Sequence, residues 1–207
     1  MTRASTAPPL AIRPLTPALM DDLGEVLRGS WGRSCWCMHP RLTEAGMRAL
    51  PGDGPLKVRR RAALTALAGR PYAPGLIAFD GNAPVGWVAV APRGELARVA
   101  ASRATPPLDD LPVWVIPCVT VRKTVRGQGV ALALIQAAVA YAGEQGAPAV
   151  EAYPRAGPER TGDDNAYFGT EPLFRRAGFE IVRGPLENRP RNWTPRVTMR
   201  IETQVGG

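Results

Sequence analysis

Apolar positions recur along this chain with two periods, and the changes between them predict its elements. Leu10, Ile12 and Leu15 alternate as a short opening strand. Thr16 then suits a helix N-cap with Pro17 in the first turn, and Leu19, Met20, Leu23, Val26 and Leu27 form an apolar face that ends at Gly29. A second helix is predicted around Lys57 to Leu67. Gly75 to Phe79 and Val85 to Val90, joined by Asp80-Gly81-Asn82, read as a hairpin. Val113 to Val121 is a third β-branched run, and the apolar helix Val130 to Glu144 and the short strand Ala149 to Tyr153 follow it. That strand, helix, strand order implies a parallel pair with a crossover. A short helix, Pro172 to Ala177, leads to a strand Phe179 to Arg183, and Arg196 to Ile201 alternates as the last strand. The class is mixed α/β: a central mixed sheet flanked by helices. No internal repeat or composition break marks a second domain, so residues 1–207 read as one domain with a loose segment at 1–9.

Composition narrows the function classes. Apolar residues make up 45% of the 207, enough for a sizeable core, and 26 Lys plus Arg against 18 Asp plus Glu leave a net charge of +8. A positive balance attracts polyanions such as a phosphorylated cofactor or nucleic acid. The densest basic run, Lys57 to Arg61, lacks the interleaved aromatics of a single-strand platform and is read as a solvated helix face. Three cysteines, an odd count, argue against a disulfide framework and for a reducing, cytoplasmic setting. Pro8, Pro9 and Arg13 interrupt any signal-like stretch, and the longest apolar run, Val130 to Ala142, is too short to cross a bilayer. Neither a membrane nor a nucleic-acid partner is expected.

The sharpest pattern is Val121-Arg-Lys-Thr-Val-Arg126-Gly127-Gln128-Gly129-Val130-Ala131, placed between a strand and a long helix. Gly127 and Gly129 let the backbone turn several N–H groups toward one anion, and the helix N-terminus adds partial positive charge. A dinucleotide fingerprint would need a Gly where Leu132 stands, and a Walker loop would need Lys and Ser or Thr where Val130 and Ala131 stand. A ligand-free strand-to-helix turn is the alternative for so short a motif.

Arg126-Gly-Gln-Gly129-Val-Ala131 resembles the R/Q-x-x-G-x-G/A coenzyme A signature of the GNAT superfamily of N-acetyltransferases. Val119-Thr-Val121 is similar to that family's fourth strand, and Leu173-Phe-Arg-Arg-Ala-Gly178-Phe179 is similar to its closing helix-to-strand segment. The resemblance implies a GNAT-like acyltransferase fold whose fourth and fifth strands splay apart. Pro117 suits such a splay, because a residue without N–H is tolerated where ladder pairing stops. It further implies acetyl-CoA as cofactor, held by backbone groups of Val119 and Val121 and by Arg126, Gly127, Gln128, Gly129, Val130 and Ala131, with Phe174 beside it. Direct acetyl transfer to a primary amine of a small molecule or peptide would follow. Phe174 stands where the family often has a proton-donating Tyr, and Tyr167 where it often has Asn. A thiol with pKa of about 8.5 leaves readily without an acid.

Glu151 is the expected base, since a carboxylate is rare in a short apolar strand; an ion-paired edge Glu is the alternative. Tyr153 and Tyr167 are candidates for the acid, with packing as the other use of each. The loop Ser30 to Pro40 is too apolar for a solvated connection, so Trp31 and Trp36, with Trp87, are expected to contact the acceptor, with plain core packing of the loop as the alternative. Cys35, Cys37 and His39 alternate, but a C-x-C with one His lacks the pairs of a structural zinc site, and no metal is expected. A coenzyme-binding regulatory module and a basic nucleic-acid-binding protein are the rival readings, and a homodimer is left open.

Overall fold

The computed structural model describes residues 10–30, 32–157, 168–188 and 194–204. Trp31, Tyr167 and the segment 1–9 lie outside the described residues. Seven strands, β1 Ala11–Pro14, β2 Gly75–Asp80, β3 Ala83–Pro92, β4 Trp114–Val121, β5 Ala149–Ala152, β6 Glu180–Arg183 and β7 Thr198–Glu202, form one sheet in the order β1-β2-β3-β4-β5-β7-β6. The helices are α1 Met20–Val26, α2 Gly32–Cys35, α3 Glu44–Arg48, α4 Leu56–Ala68, α5 Ala97–Ala100, α6 Val130–Glu144 and α7 Glu171–Arg176. β4 and β5 run parallel and every other neighbouring pair runs antiparallel. This is the mixed sheet that the pattern predicts, with the crossover on α6.

The period-2 alternation sorts each strand between two cores. Leu76, Ala78, Val88 and Val90 pack with Leu134, Ile135 and Ala138 of α6 on one face, while Ile77, Phe79, Trp87 and Ala89 pack with Met20, Leu23 and Leu64 of α1 and α4 on the other. Gly86 allows α6 to sit close, since a Cβ there would come within 2.7 Å of Leu134 Cδ1. The helix that carries the Gly-rich turn is thereby fixed against β3.

Two regions add to the sequence reading. The run Lys57 to Arg61 ties α4 to its surroundings: Arg60 donates to the Ser34 carbonyl at 2.9 Å, and Arg61 pairs with Asp21 at 2.6 Å while lying over the Trp36 ring. The β3–β4 connection, 93–113, is also far longer than the two to five residues of a typical hairpin loop. It contains α5 and folds back over the end of the sheet, where Leu96 and Val99 pack with Val115 and Tyr153.

Candidate active site

β4 pairs with β5 at only three positions, Trp114 with Val150, Val115 with Glu151 and Ile116 with Ala152. The next residue, Pro117, has no N–H to continue the ladder, yet β4 still pairs with β3 as far as Val121. Among the described residues, one edge of β4 from Cys118 to Val121 therefore has no partner strand, and alternate backbone groups turn into the gap. Beyond this free edge, Gly127 and Gly129 have φ of 81° and 84°, and Gly129 is the left-handed N-cap of α6. A Cβ at either would meet no heavy atom within 4 Å, so both face open space. Gly129, as the N-cap, has no side chain with which to cap the first-turn N–H groups of α6. They are donors in need of an acceptor.

The free edge and the start of α6 form one wall of a cleft of about 930 Å³, in which Val119, Val121, Arg126 and Ala131 are lining residues. The opposite wall comes from the end of α1 and the apolar loop, with Ser30, Cys35, Cys37 and Pro40, and Leu173 closes one side. Cys118, at the start of the free edge, also lines the cleft. The loop is held in an unusual shape: Trp36 and Cys37 have φ of 49° and 51°, left-handed values that cost about 1–3 kcal/mol each. Trp87 Nε1 donates to Cys37 Sγ at 3.1 Å, and Arg61 covers Trp36. Hydrogen bonding with Cys118, then burial, pushes the Cys37 thiol well up, and burial pushes Cys35 to about 11. These thiols stay protonated and are poor nucleophiles. Among the described residues no group of three His, Cys, Asp or Glu could hold a metal ion.

His39, the chain's single histidine, follows this turn and is half-buried. Burial, then the Arg98 guanidinium, holds its pKa below the usual imidazole value, so the ring is neutral at pH 7.

The structure places the other sequence candidates differently. Gly127, Gln128 and Gly129 are exposed at the cleft mouth, whereas Val130 turns inward and packs in the core. Phe174 is fully buried against Phe179, and its neighbour Leu173 faces the cleft instead. Trp36 and Trp87 lie in the core beneath α1, behind the residues that line the cleft. Glu151 is 1% exposed; Arg200 donates to its Oε1 at 2.6 and 3.1 Å, and Tyr153 donates to its Oε2. Burial and then Glu151 raise the Tyr153 pKa far beyond neutral. Glu151 is thus ion-paired, as in the alternative, though on the interior strand β5 and not at an edge. The sequence reading places His39 at the end of the acceptor-side loop Trp31 to His39 and gives it no proton-transfer role; a lone histidine inside an unusually apolar loop is the signal that singles it out.

The family model for the acetyltransferase (GNAT) family matches residues 41–161, more than half of the chain. The chain belongs to the GNAT family of acetyltransferases. Solved structures agree on the fold. A GNAT-family acetyltransferase from Streptococcus pneumoniae is 16% identical, with 95% of this chain and 100% of that one covered and a TM-score of 0.54. An N-acetyltransferase from Staphylococcus aureus Mu50 is 13% identical, with 94% and 99% covered and a TM-score of 0.54. NAA60 from Arabidopsis thaliana, solved with acetyl-CoA, is 14% identical, with 94% and 99% covered and a TM-score of 0.51. No curated protein matches the sequence. Membership makes the chain an acetyl-CoA-dependent acyltransferase. The uncapped α6 N-terminus, the open space before Gly127 and Gly129, and the unpaired β4 edge fit that cosubstrate's pyrophosphate and amide-bearing arm.

Proposed function

We propose that this chain is a single-domain N-acetyltransferase that transfers acetyl directly to the primary amine of a small-molecule or peptide acceptor. The observation that carries this reading is the continuity of the cleft from the free β4 edge to the loop Cys35 to Pro40, which lets donor and acceptor meet without a covalent enzyme intermediate. Bound acetyl-CoA supplies an activated acetyl thioester. Val119 and Val121 hold its arm through the backbone, while Arg126, Gly127, Gln128, Gly129 and Ala131 surround the pyrophosphate. Backbone N–H groups of the free edge stabilise charge developing on a carbonyl oxygen. His39 precedes Pro40, which lines the cleft, and does not line the cleft itself; neutral at pH 7, it accepts the proton of the attacking amine through water. Glu151 and Tyr153 brace the end of the site. Among the described residues no helix is long and apolar enough to cross a membrane, and three unpaired thiols suit the cytoplasm.

The test is release of the free thiol from acetyl-CoA over a panel of primary amines, with mass spectrometry of the products. At least one acceptor should gain an acetyl group. Acetyl-CoA binding with no transfer to any amine class would leave only a coenzyme-binding module.

A further inference from the structure

The turn that carries Pro40 into the cleft wall is held from outside. Arg41 and Leu42 donate to the Met38 carbonyl within the turn, but the carbonyls of His39, Pro40 and Leu42 all accept from Arg98. Its Nε–H is shared between the His39 and Leu42 carbonyls at 2.9 and 3.0 Å, and its backbone N–H reaches the Pro40 carbonyl at 3.2 Å. Arg98 is itself well anchored. It lies on α5 in the β3–β4 connection, where Leu96 and Val99 are buried against Val115 and Tyr153. Arg93 of the same connection donates to the Tyr153 hydroxyl and, at 2.7 Å, to the Thr105 carbonyl, while Arg183 and Arg200 of β6 and β7 grip it at Pro106 and Asp109. The connection is thereby fastened to the sheet, and Arg98 passes that rigidity to the turn.

The same guanidinium stands near the chain's single imidazole. The ionisable groups around His39 are Arg98, Glu44, Arg60 of α4, Cys35, whose Sγ accepts from the His39 backbone N–H at 3.3 Å, and Tyr153 and Arg196, which line one small pocket with it. Glu44 is the ion-pair partner of Arg98, at 2.7 Å. Its side chain is 70% exposed against 29% for Arg98, so solvent screens the carboxylate more than the cation. Accordingly burial lowers the imidazole pKa most, Arg98 adds to that, and Glu44 opposes it with a smaller effect.

We infer that Arg98 is a positioning residue for the transfer reaction: from the β3–β4 connection it fixes the turn His39 to Leu42 and holds a positive charge near the imidazole. Arg98 does not line the cleft, so it acts through His39 and Pro40. The inference rests on the proposed transfer with His39 as proton acceptor, and adds the group that sets the place and the charge state of that acceptor.

Two substitutions separate the two contributions. Arg98→Lys keeps the charge and loses the planar fork; Arg98→Met loses both. Because the chain has one histidine, proton NMR titration reads its pKa directly. The native imidazole should titrate below about 6.5, Arg98→Lys should leave it low, and Arg98→Met should move it up. With an acceptor from the amine panel, both variants should lower kcat by about 10- to 100-fold, as a displaced group does, while KM for acetyl-CoA stays near its native value. Arg98→Met should also carry the acid limb of kcat/KM upward. A merely structural role would lower Tm and leave the imidazole pKa where it was. An unmoved imidazole pKa in a folded Arg98→Met overturns the inference and leaves His39 standing, and native kcat in Arg98→Lys overturns it as well. Should Arg98→Met not fold, Arg98→Lys decides alone: lowered kcat with a native imidazole pKa supports the inference. A raised imidazole pKa in Arg98→Met with an unmoved acid limb brings down His39 as proton acceptor, and this inference with it, but not the donor site. Acetyl transfer to no amine at all removes the reaction that Arg98 is placed to serve.

Discussion

Gly129 tests the anion cradle with the smallest change. Its φ of 84° lies where an L residue costs about 1–2 kcal/mol, and the added Cβ of an alanine would meet no heavy atom within 4 Å. Gly129→Ala thus introduces backbone strain without a clash. In a chain of this size about 1 kcal/mol corresponds to roughly 2–4 °C in Tm, so the variant should melt roughly 2–8 °C lower. Gly129→Glu adds the same strain and sets a carboxylate before the positive end of α6, in competition with the pyrophosphate. Acetyl-CoA at about a hundredfold its dissociation constant stabilises a folded protein by about 2.7 kcal/mol. By the same conversion that is a rise of roughly 5–11 °C. Differential scanning fluorimetry with and without acetyl-CoA separates the two effects: the Ala variant should keep most of the rise and the Glu variant should lose it. A Gly129→Ala protein with native Tm would refute the left-handed turn. A folded Gly129→Glu protein with the full rise would refute the cradle.

Because burial and then Arg98 lower the His39 pKa, kcat/KM should be level near neutrality and fall on acidification through a pKa below about 6.5, as the ring gains a proton and can no longer accept one. His39→Gln should lower kcat and remove that acid limb from the pH profile; an unchanged profile would assign proton removal to another group. Glu151→Gln breaks a buried pair but leaves Arg200 with Asp109, so it should cost about 3 kcal/mol, the low end for such a loss, while turnover per folded molecule is retained. A fall in kcat at unchanged Tm would instead give Glu151 a catalytic role.

The strong periodic segments were legible because local pattern suffices for them: α6 spans the predicted Val130–Glu144, and Pro117 marks the end of β4–β5 pairing. The short helices α2, α3 and α5 have four or five residues, too few to display a 3.6-residue period. Phase fails similarly on α7, where a six-residue helix did not reveal from sequence that Leu173, rather than Phe174, meets the cleft. The partners of Glu151 include Arg200, 49 residues away, and one small pocket brings together His39, Ala104, Tyr153 and Arg196. Such meetings depend on the tertiary arrangement, and no local pattern encodes them. Trp87 misled for a different reason: an aromatic with a polar handle suits a binding surface, but its N–H is satisfied inside the core by a thiol.

Along Cys118–Val121 the sheet is one strand short, and only three residue pairs join its two parts at that seam. In the proposed complex, a donor molecule whose amides lie along the free edge would complete the ladder from outside. The enzyme's durability is thereby linked to its fuel, because a ligand held only by the folded chain draws the population away from open forms. Where acetyl donor is plentiful the seam is closed for most of the protein's lifetime, and where it is scarce the centre of the sheet is the first part left without its mortar.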